Sequence, residues 1–397
     1  MADNKQNKRP NVPPLRFPEF TEPWERKKLS NFTERVTRKN KGQTNLPLTI
    51  SAQYGLVDQI SFFNNKVASA DMSNYYLLKR GEFTYNKSYS SDYPLGAVKR
   101  LDLYDMGALS TLYICFKIAG DINSDYLVHY FESPKWHRGV YEIAGEGARN
   151  HGLLNIAVGD YFETQHYLPC SLKEQEKIAS MLNLIQRRIE VQNKLIEDLQ
   201  QLKSAIVERL YCQPDPNGRI GDFVVQISKR NHGNNNYSVL SVNNRLGFIE
   251  QSEQFEDRSV ASDDTSNYKV VSRDDFAYNP ARINVGSIAR LTSFENGIVS
   301  PMYICFHTKK QLLPQYLEHF FDTCYFYYEM QKRLEGSVRL CLSWEGLCNI
   351  TIAVPPVERQ EKVGKRISRI ADKISLEERH LDLLKLQKQY LLQAMFI

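Results

Sequence analysis

The chain has 397 residues, is 42% hydrophobic and 24% charged, and carries a formal charge of +5. These values suit a globular protein of two or three domains, and the mild positive charge permits nucleic-acid binding without requiring it. No apolar run approaches the roughly 18 residues of a membrane span, and the opening "MADNKQNKRPNVPP" is too polar for a signal peptide, so a cytoplasmic protein is expected. Seven scattered cysteines without a CxxC pair argue against a disulfide framework and a zinc site.

In chain order, residues 1–20 read as a flexible arm and 21–167 as a first globular domain. That domain opens on a basic, Asn-rich, Gly-broken segment, "RVTRKNKGQ" (35–43), with Arg38, Lys39 and Lys41. "FTYNKSYSSDYPLGAVKRL" then reads as strand, polar loop, strand, and carries Lys87, Tyr89, Lys99 and Arg100. "LYICF" (112–116) is an apolar strand in which Cys115 is expected to be a small buried hydrophobe. "SDYLVHYFESPKWHRGVYEIA" has the spacing of an amphipathic helix, and Arg149 lies in the following loop. Residues 168–212 form a long helix that starts behind Pro169, and "CQPDPNGR" (212–219) is a tight connection. A second domain, 213–354, repeats the order. It has "QISKRNHGNNN" with Lys229, Arg230 and Asn231, then "FAYNPARINVGSIARL" with Arg282, Asn284 and Arg290. "MYICF" with Cys305 follows, then the helix "PQYLEHFFDTCYFYYEMQKRL" and the loop of Arg339. Residues 355–397 form a second long helix behind Pro355 and Pro356.

The repetition is the organising fact. "VASADMSNYYLLKRGEFTYN" (67–86) and "VASDDTSNYKVVSRDDFAYN" (260–279) agree at 11 of 20 positions without a gap, which implies a duplicated unit. Each copy is expected to be an α+β domain with a curved, mostly antiparallel sheet. The long helices repeat too. A three–four alternation marks a coiled-coil seam at Leu182, Ile185, Ile189, Gln192, Ile196, Leu199, Lys203, Ile206 and Leu210. It reappears 185 residues on at Ile367, Ile370, Ile374, Glu377, Leu381, Leu384, Lys388, Leu391 and Met395. Matching registers predict an intramolecular, antiparallel helix pair with a domain at each end, a pseudo-twofold dumbbell. Off the seam, Tyr390, Leu392 and Phe396 suggest a second contact for a partner.

The polar loops differ between the copies while the framework is shared. Arg and Lys can contact guanine and Asn can contact adenine, whereas the basic segments suit phosphates. Shared framework and divergent basic loops therefore point to two different short DNA words read by one molecule. A coiled-coil scaffold with two protein-binding domains is the alternative, and steep salt dependence separates the two readings. No Walker loop, nucleophile elbow, HExxH or EF-hand spacing occurs, and the histidines do not cluster. "YNPARI" (278–283) lacks the second proline and the aromatic of an amino-methyltransferase motif. The chain reads as non-catalytic.

"LRFPEFTEPWERKKLSNF" near the start resembles the opening of type I restriction–modification specificity subunits. So do "LPCSLKEQEKIASML" and "VPPVERQEKVGKRI", in which Gln175, Glu176 and Lys177 match Gln360, Glu361 and Lys362. The resemblance implies two target-recognition domains and two conserved spacer helices in a subunit without chemistry of its own. It implies double-stranded DNA, two modification (methyltransferase) subunits and restriction/translocase subunits as partners. Cofactors are expected only in those partners, S-adenosylmethionine for methylation and ATP/Mg for translocation. The target is expected to be asymmetric and bipartite.

Overall fold

The computed structural model describes residues 11–51, 54–64, 68–69, 71–89, 93–144, 154–212, 215–232, 237–244, 246–251, 265–336 and 339–397. It divides into two compact units, Met1–Gln192 with His380–Ile397, and Asn193–Arg379.

The first unit begins with β1 (Glu25–Lys28), β2 (Thr33–Arg35), β3 (Leu48–Ser51), β4 (Gly55–Asp58) and the short helix α1 (Gln59–Phe63). It continues with β5 (Tyr76–Lys79), β6 (Phe83–Asn86), β7 (Ala97–Arg100), β8 (Met106–Leu109) and β9 (Ile114–Ile118). Helices α2 (Ser124–Glu132), α3 (His137–Ile143) and α4 (Val158–Glu163) precede β10 (Gln165–Leu168) and the long helix α5 (Leu172–Cys212), which belongs to this unit up to Gln192. One sheet runs β2-β9-β6-β7. The pairs β3-β4 and β5-β8 are linked by a parallel bridge between Pro47 and Ala108.

The second unit repeats this order with β11 (Gly218–Arg219), α6 (Ile220–Phe223), β12 (Val224–Ile227), β13 (Val239–Asn243) and β14 (Gly247–Glu250). Next come β15 (Lys269–Ser272), β16 (Phe276–Tyr278), β17 (Ile288–Arg290), β18 (Asn296–Val299) and β19 (Ile304–Thr308). Helices α7 (Pro314–Phe320) and α8 (Cys324–Gln331), the hairpin β20 (Leu334–Glu335) and β21 (Cys341–Leu342), α9 (Trp344–Cys348) and β22 (Thr351–Ile352) lead to the long helix α10 (Val357–Ala394). Its sheets run β12-β19-β16-β17 and β14-β13-β18-β15. In place of one curved sheet, then, the second copy has two four-stranded sheets, and one strand pair, β13–β18, is parallel. The helices expected after β9 and β19 are each broken in two. Pro134 interrupts the first, and Thr323 caps a new start in the second by accepting from the Phe326 amide.

Strand alternation explains the packing. Phe83 stacks on Phe116 at 5.5 Å between ring centres, and Phe276 stacks on Phe306 at 5.1 Å, both on the helix-covered face of their sheet. The opposite face carries Cys115 and Cys305, buried between the sheets with Leu78 and Leu101, and with Val271 and Leu291. Burial pushes both thiols up to about 12, so they act as small hydrophobes.

Each domain seats the start of the helix that follows it and the end of the other long helix. In the first unit, Ile178 and Leu182 of α5 are buried, and so are Leu392 and Phe396 at the C-terminal end. Phe396 packs at 5.4 Å from Tyr126 and 5.8 Å from Tyr130. In the second unit, Val363 and Ile367 of α10 share a core with Val207 and Tyr211 of α5, and the Tyr211 hydroxyl donates to the Tyr316 carbonyl at 2.7 Å. Leu392 and Phe396, expected as outward contacts, are therefore core residues, and only Tyr390 of the three is exposed. Within each unit the seam is covered. Ile185, Ile189, Leu381, Leu384, Leu391 and Met395 are buried in the first unit, as are Ile196 and Ile374 in the second. Leu199, Ile206, Leu210 and Ile370 are half-buried.

The expected flexible arm is corrected for residues 11–20. The Leu15 amide donates to the Ala394 carbonyl, and Arg16 forks onto Glu174 at 2.7 and 2.8 Å. Trp24 donates to the same carboxylate at 3.1 Å. A buried bidentate pair of this kind fixes both position and angle.

Candidate nucleic-acid interface

Strand directions gather one set of turns at one end of each domain. In the second copy β13 runs parallel to β18, and β15 starts beside the end of β18. The β18–β19 turn then brings the start of β19 to the end of β16, where Tyr278 pairs with Ile304. Three connections and the start of β15 therefore share this end: the β13–β14 turn, the β16–β17 loop and the β18–β19 turn. The Ser287 hydroxyl confirms the neighbourhood by donating to the Val242 carbonyl at 3.2 Å. The first copy has the same arrangement, with Tyr76 opposite Leu109 and Tyr85 opposite Ile114.

The two basic segments reach this end by equivalent pairings. The amides of Asn40 and Asn231 donate to the carbonyls of Tyr75 and Tyr268, at 2.9 and 3.0 Å. The residues next to them, Lys39 and Arg230, bridge to Tyr76 and Lys269. A further loop joins from the helical side, where Leu154 donates to the Lys87 carbonyl and Leu342 to that of Pro280.

Of the expected contact residues, Lys41, Lys229, Arg230, Arg282 and Arg339 are exposed on these loops. Arg282 and Arg339 have no side-chain hydrogen bond or ion pair among the described residues. Lys39, half-buried, donates to the Asn74 carbonyl and lies 4.5 Å over the Tyr76 ring. Lys87, Tyr89 and Asn284 are also half-buried on the β6–β7 and β16–β17 loops. Arg149 lies outside the described residues.

Five expected residues do not face this turn surface. Asn231 is 1% exposed, as is its counterpart Asn40, which staples its own loop through Thr44 and the Met72 carbonyl. Arg38 turns away to Glu82, at 2.8 Å. Arg100 binds Asp102, Ser124 and Asp125, and Arg290 binds Asp274 and Glu318. These two arginines occupy the same place in the two copies and tie the edge strand to the first helix. Lys99 faces the long helices and lies 3.9 Å from Glu132.

Sequence reasoning missed Tyr54, Leu246, Leu112 and Met302, exposed at 63%, 73%, 63% and 59% on the β3–β4, β13–β14, β8–β9 and β18–β19 turns. Apolar side chains at such positions can meet a thymine methyl. For Leu112 and Met302 the signal was hidden, because each adjoins the buried run that follows it and reads as part of that run.

The motif glutamines anchor each domain to its helix. Gln175 accepts from the Asn123 amide at 2.9 Å and donates to the Pro169 carbonyl at 3.0 Å. Gln360 accepts from the Leu313 amide at 2.8 Å and donates to the carbonyls of Gln311 and Pro355, at 2.8 and 2.7 Å. In the first unit His129 adds a further tie. Asn183 spends its amide N–H on Asp125, so its carbonyl accepts from His129 Nε2 at 2.8 Å. Glu132 lies 2.8 Å from Lys388 and 3.4 Å from His129. Burial alone would raise the Glu132 carboxyl. The His129 hydrogen bond and the charges of Lys388 and Lys99 outweigh it and hold the group at about 2.

No protein-family model matches the chain. No curated protein matches it either. Solved structures do. A chain from the structure of the complex assembly and conformational transition of the type I R-M system superposes with a TM-score of 0.59 at 13% identity, covering 95% of this chain and 99% of that one. The S subunit of the type I restriction–modification system from M. genitalium gives 0.54 at 14% identity, covering 97% and 99%. Over nearly its whole length, the chain has the fold of type I restriction–modification specificity subunits.

Proposed function

We propose that this chain is the DNA-specificity subunit of a type I restriction–modification complex. The observation that carries the proposal is the same turn end built twice, on matching strands, with different exposed and half-buried side chains on it. Lys41, Lys87 and Tyr89 belong to one copy, and Arg282, Asn284 and Arg339 to the other. One framework with two sets of contacts fits an asymmetric, bipartite target, a few specified bases, a gap, and a few more. The chain itself does no chemistry in this reading. It directs adenine methylation by S-adenosylmethionine-dependent modification subunits, and restriction by ATP/Mg-dependent translocase subunits, in the cytoplasm.

The long helices offer places for those partners. Leu184, Val191, Leu383, Leu386 and Tyr390 are exposed in the first unit, and Leu195, Leu202 and Leu376 in the second. Exposed apolar groups repeated along helices suit docking of further helices. Methylome sequencing of cells with and without the gene tests the proposal. One bipartite, asymmetric motif should disappear on deletion. An unchanged methylome, together with duplex binding that is flat in log[salt], supports the scaffold reading instead.

A further inference from the structure

In the first unit a cleft of about 640 Å³ opens between the β6–β7 hairpin, α2 and the two long helices. Three lysines line it, Lys99, Lys385 and Lys388, against one carboxylate, Glu132. Glu132 is already shared by Lys388 at 2.8 Å and Lys99 at 3.9 Å. Lys385 is exposed into the cleft and has no ion-pair partner among the described residues.

The second unit carries the equivalent cleft, about 440 Å³, and there the charge is different. Its lining includes Gln200, Lys203, Asp322 and Glu378. Lys203 lies 3.8 Å from Asp322 and occupies the place of Lys388, with Asp322 in the place of Glu132. That lysine–carboxylate pair is common to both copies and belongs to the scaffold. The other two lysines are not common. Lys99 precedes Arg100 on β7, and Ala289 precedes its counterpart Arg290 on β17. Lys385 falls where α5 has Gln200. One copy of the duplicated cleft thus carries two cations that the other lacks, three lysines around a single carboxylate, which the packing of the fold does not require.

We infer that the first-unit cleft binds a phosphate oxyanion through Lys99, Lys385 and Lys388. Clustered amines in excess of the carboxylate beside them suit that chemistry. Tyr93 and Gly96 line the same cleft, and they belong to the hairpin loop at the turn end. The cleft is therefore continuous with the candidate DNA surface. Resting on the specificity reading, the oxyanion is a backbone phosphate beside the half-site of the first domain. A soluble phosphate ester is the other source of the same chemistry.

The test uses the full chain and two probes. Pyrophosphate is titrated by calorimetry into wild type, Lys385→Gln and Lys388→Gln. Duplexes with and without the methylome-defined target are then titrated over a range of salt. Each phosphate contact contributes about 0.9 to the slope of log K against log[salt]. The expected result is weaker pyrophosphate binding in both variants and a slope smaller by about 1 in each, with discrimination between target and scrambled duplex unchanged. Loss of pyrophosphate binding with an unchanged slope keeps the oxyanion site and overturns the DNA source. No change in either readout for Lys385→Gln overturns the proposal. That exposed residue can be replaced without disturbing the fold, so its result decides even if Lys388→Gln is unstable. If the specificity reading itself is wrong, wild type fails to discriminate the duplexes, and the pyrophosphate titration still decides the cleft.

Discussion

Replacing Gln360 tests how the globular domains are held to the helices. The side chain is 1% exposed and makes three hydrogen bonds, to Leu313 N, Gln311 O and Pro355 O. Gln360→Ala leaves one amide and two carbonyls without that partner. At about 1–3 kcal/mol for each buried unsatisfied group, less where water enters the space, the loss is about 3–6 kcal/mol. Gln360→Glu is nearly isosteric but sets a carboxylate against two carbonyl oxygens, so it should cost at least as much. Glu361→Ala, its exposed neighbour in the same motif, should stay within about 0.5 kcal/mol. Thermal and urea unfolding followed by circular dichroism measure all three. A Gln360→Ala protein no less stable than Glu361→Ala would refute the clamp, and with it the physical account of why the motif occurs twice.

Other expectations follow from single groups. Ile196→Asp or Leu381→Asp places a charge in the covered seam and should cost about 3–5 kcal/mol, read as a lowered Tm; a change under 0.5 kcal/mol contradicts helix pairing. Burial holds His166 at about 4, with Tyr130 and Thr164 on its two nitrogens at 2.8 Å. Its folded pKa lies below the unfolded value of about 6.5, so its stabilisation is complete above pH 6.5 and is lost as pH falls to 4. The loss is about 3 kcal/mol, and His166→Gln should flatten that part of the stability profile. An unchanged slope in the variant contradicts it. Arg282→Ala should cost about 1–3 kcal/mol and relax one target position if the residue reads a base, whereas uniform weakening across sequences makes it a phosphate contact.

The duplication and the helical seams were legible because both leave periodic, long-range marks in the residues themselves. Leu182 and Ile367, 185 apart, are each 0% exposed. What each basic side chain does was not legible. Arg100 and Lys41 look alike in sequence, yet one is spent on two aspartates and a serine while the other stands on a turn at φ +46°. That difference depends on Asp125, which arrives from a helix 25 residues away. The division into two sheets was hidden for a similar reason. β13 and β18 are parallel neighbours more than fifty residues apart, and no local pattern specifies their pairing. Leu392 and Phe396 were misread because a helix end buried in a distant domain has the same spacing as one that faces a partner.

The central claim is that the two domains read separate words. Residues 21–167 can be exchanged for the corresponding region of a relative with a different known target, and the methylome of cells expressing the hybrid sequenced. One half of the bipartite motif should change while the other half and the gap length stay as they were. A hybrid that methylates an unbroken palindrome, or alters both halves at once, would contradict the account.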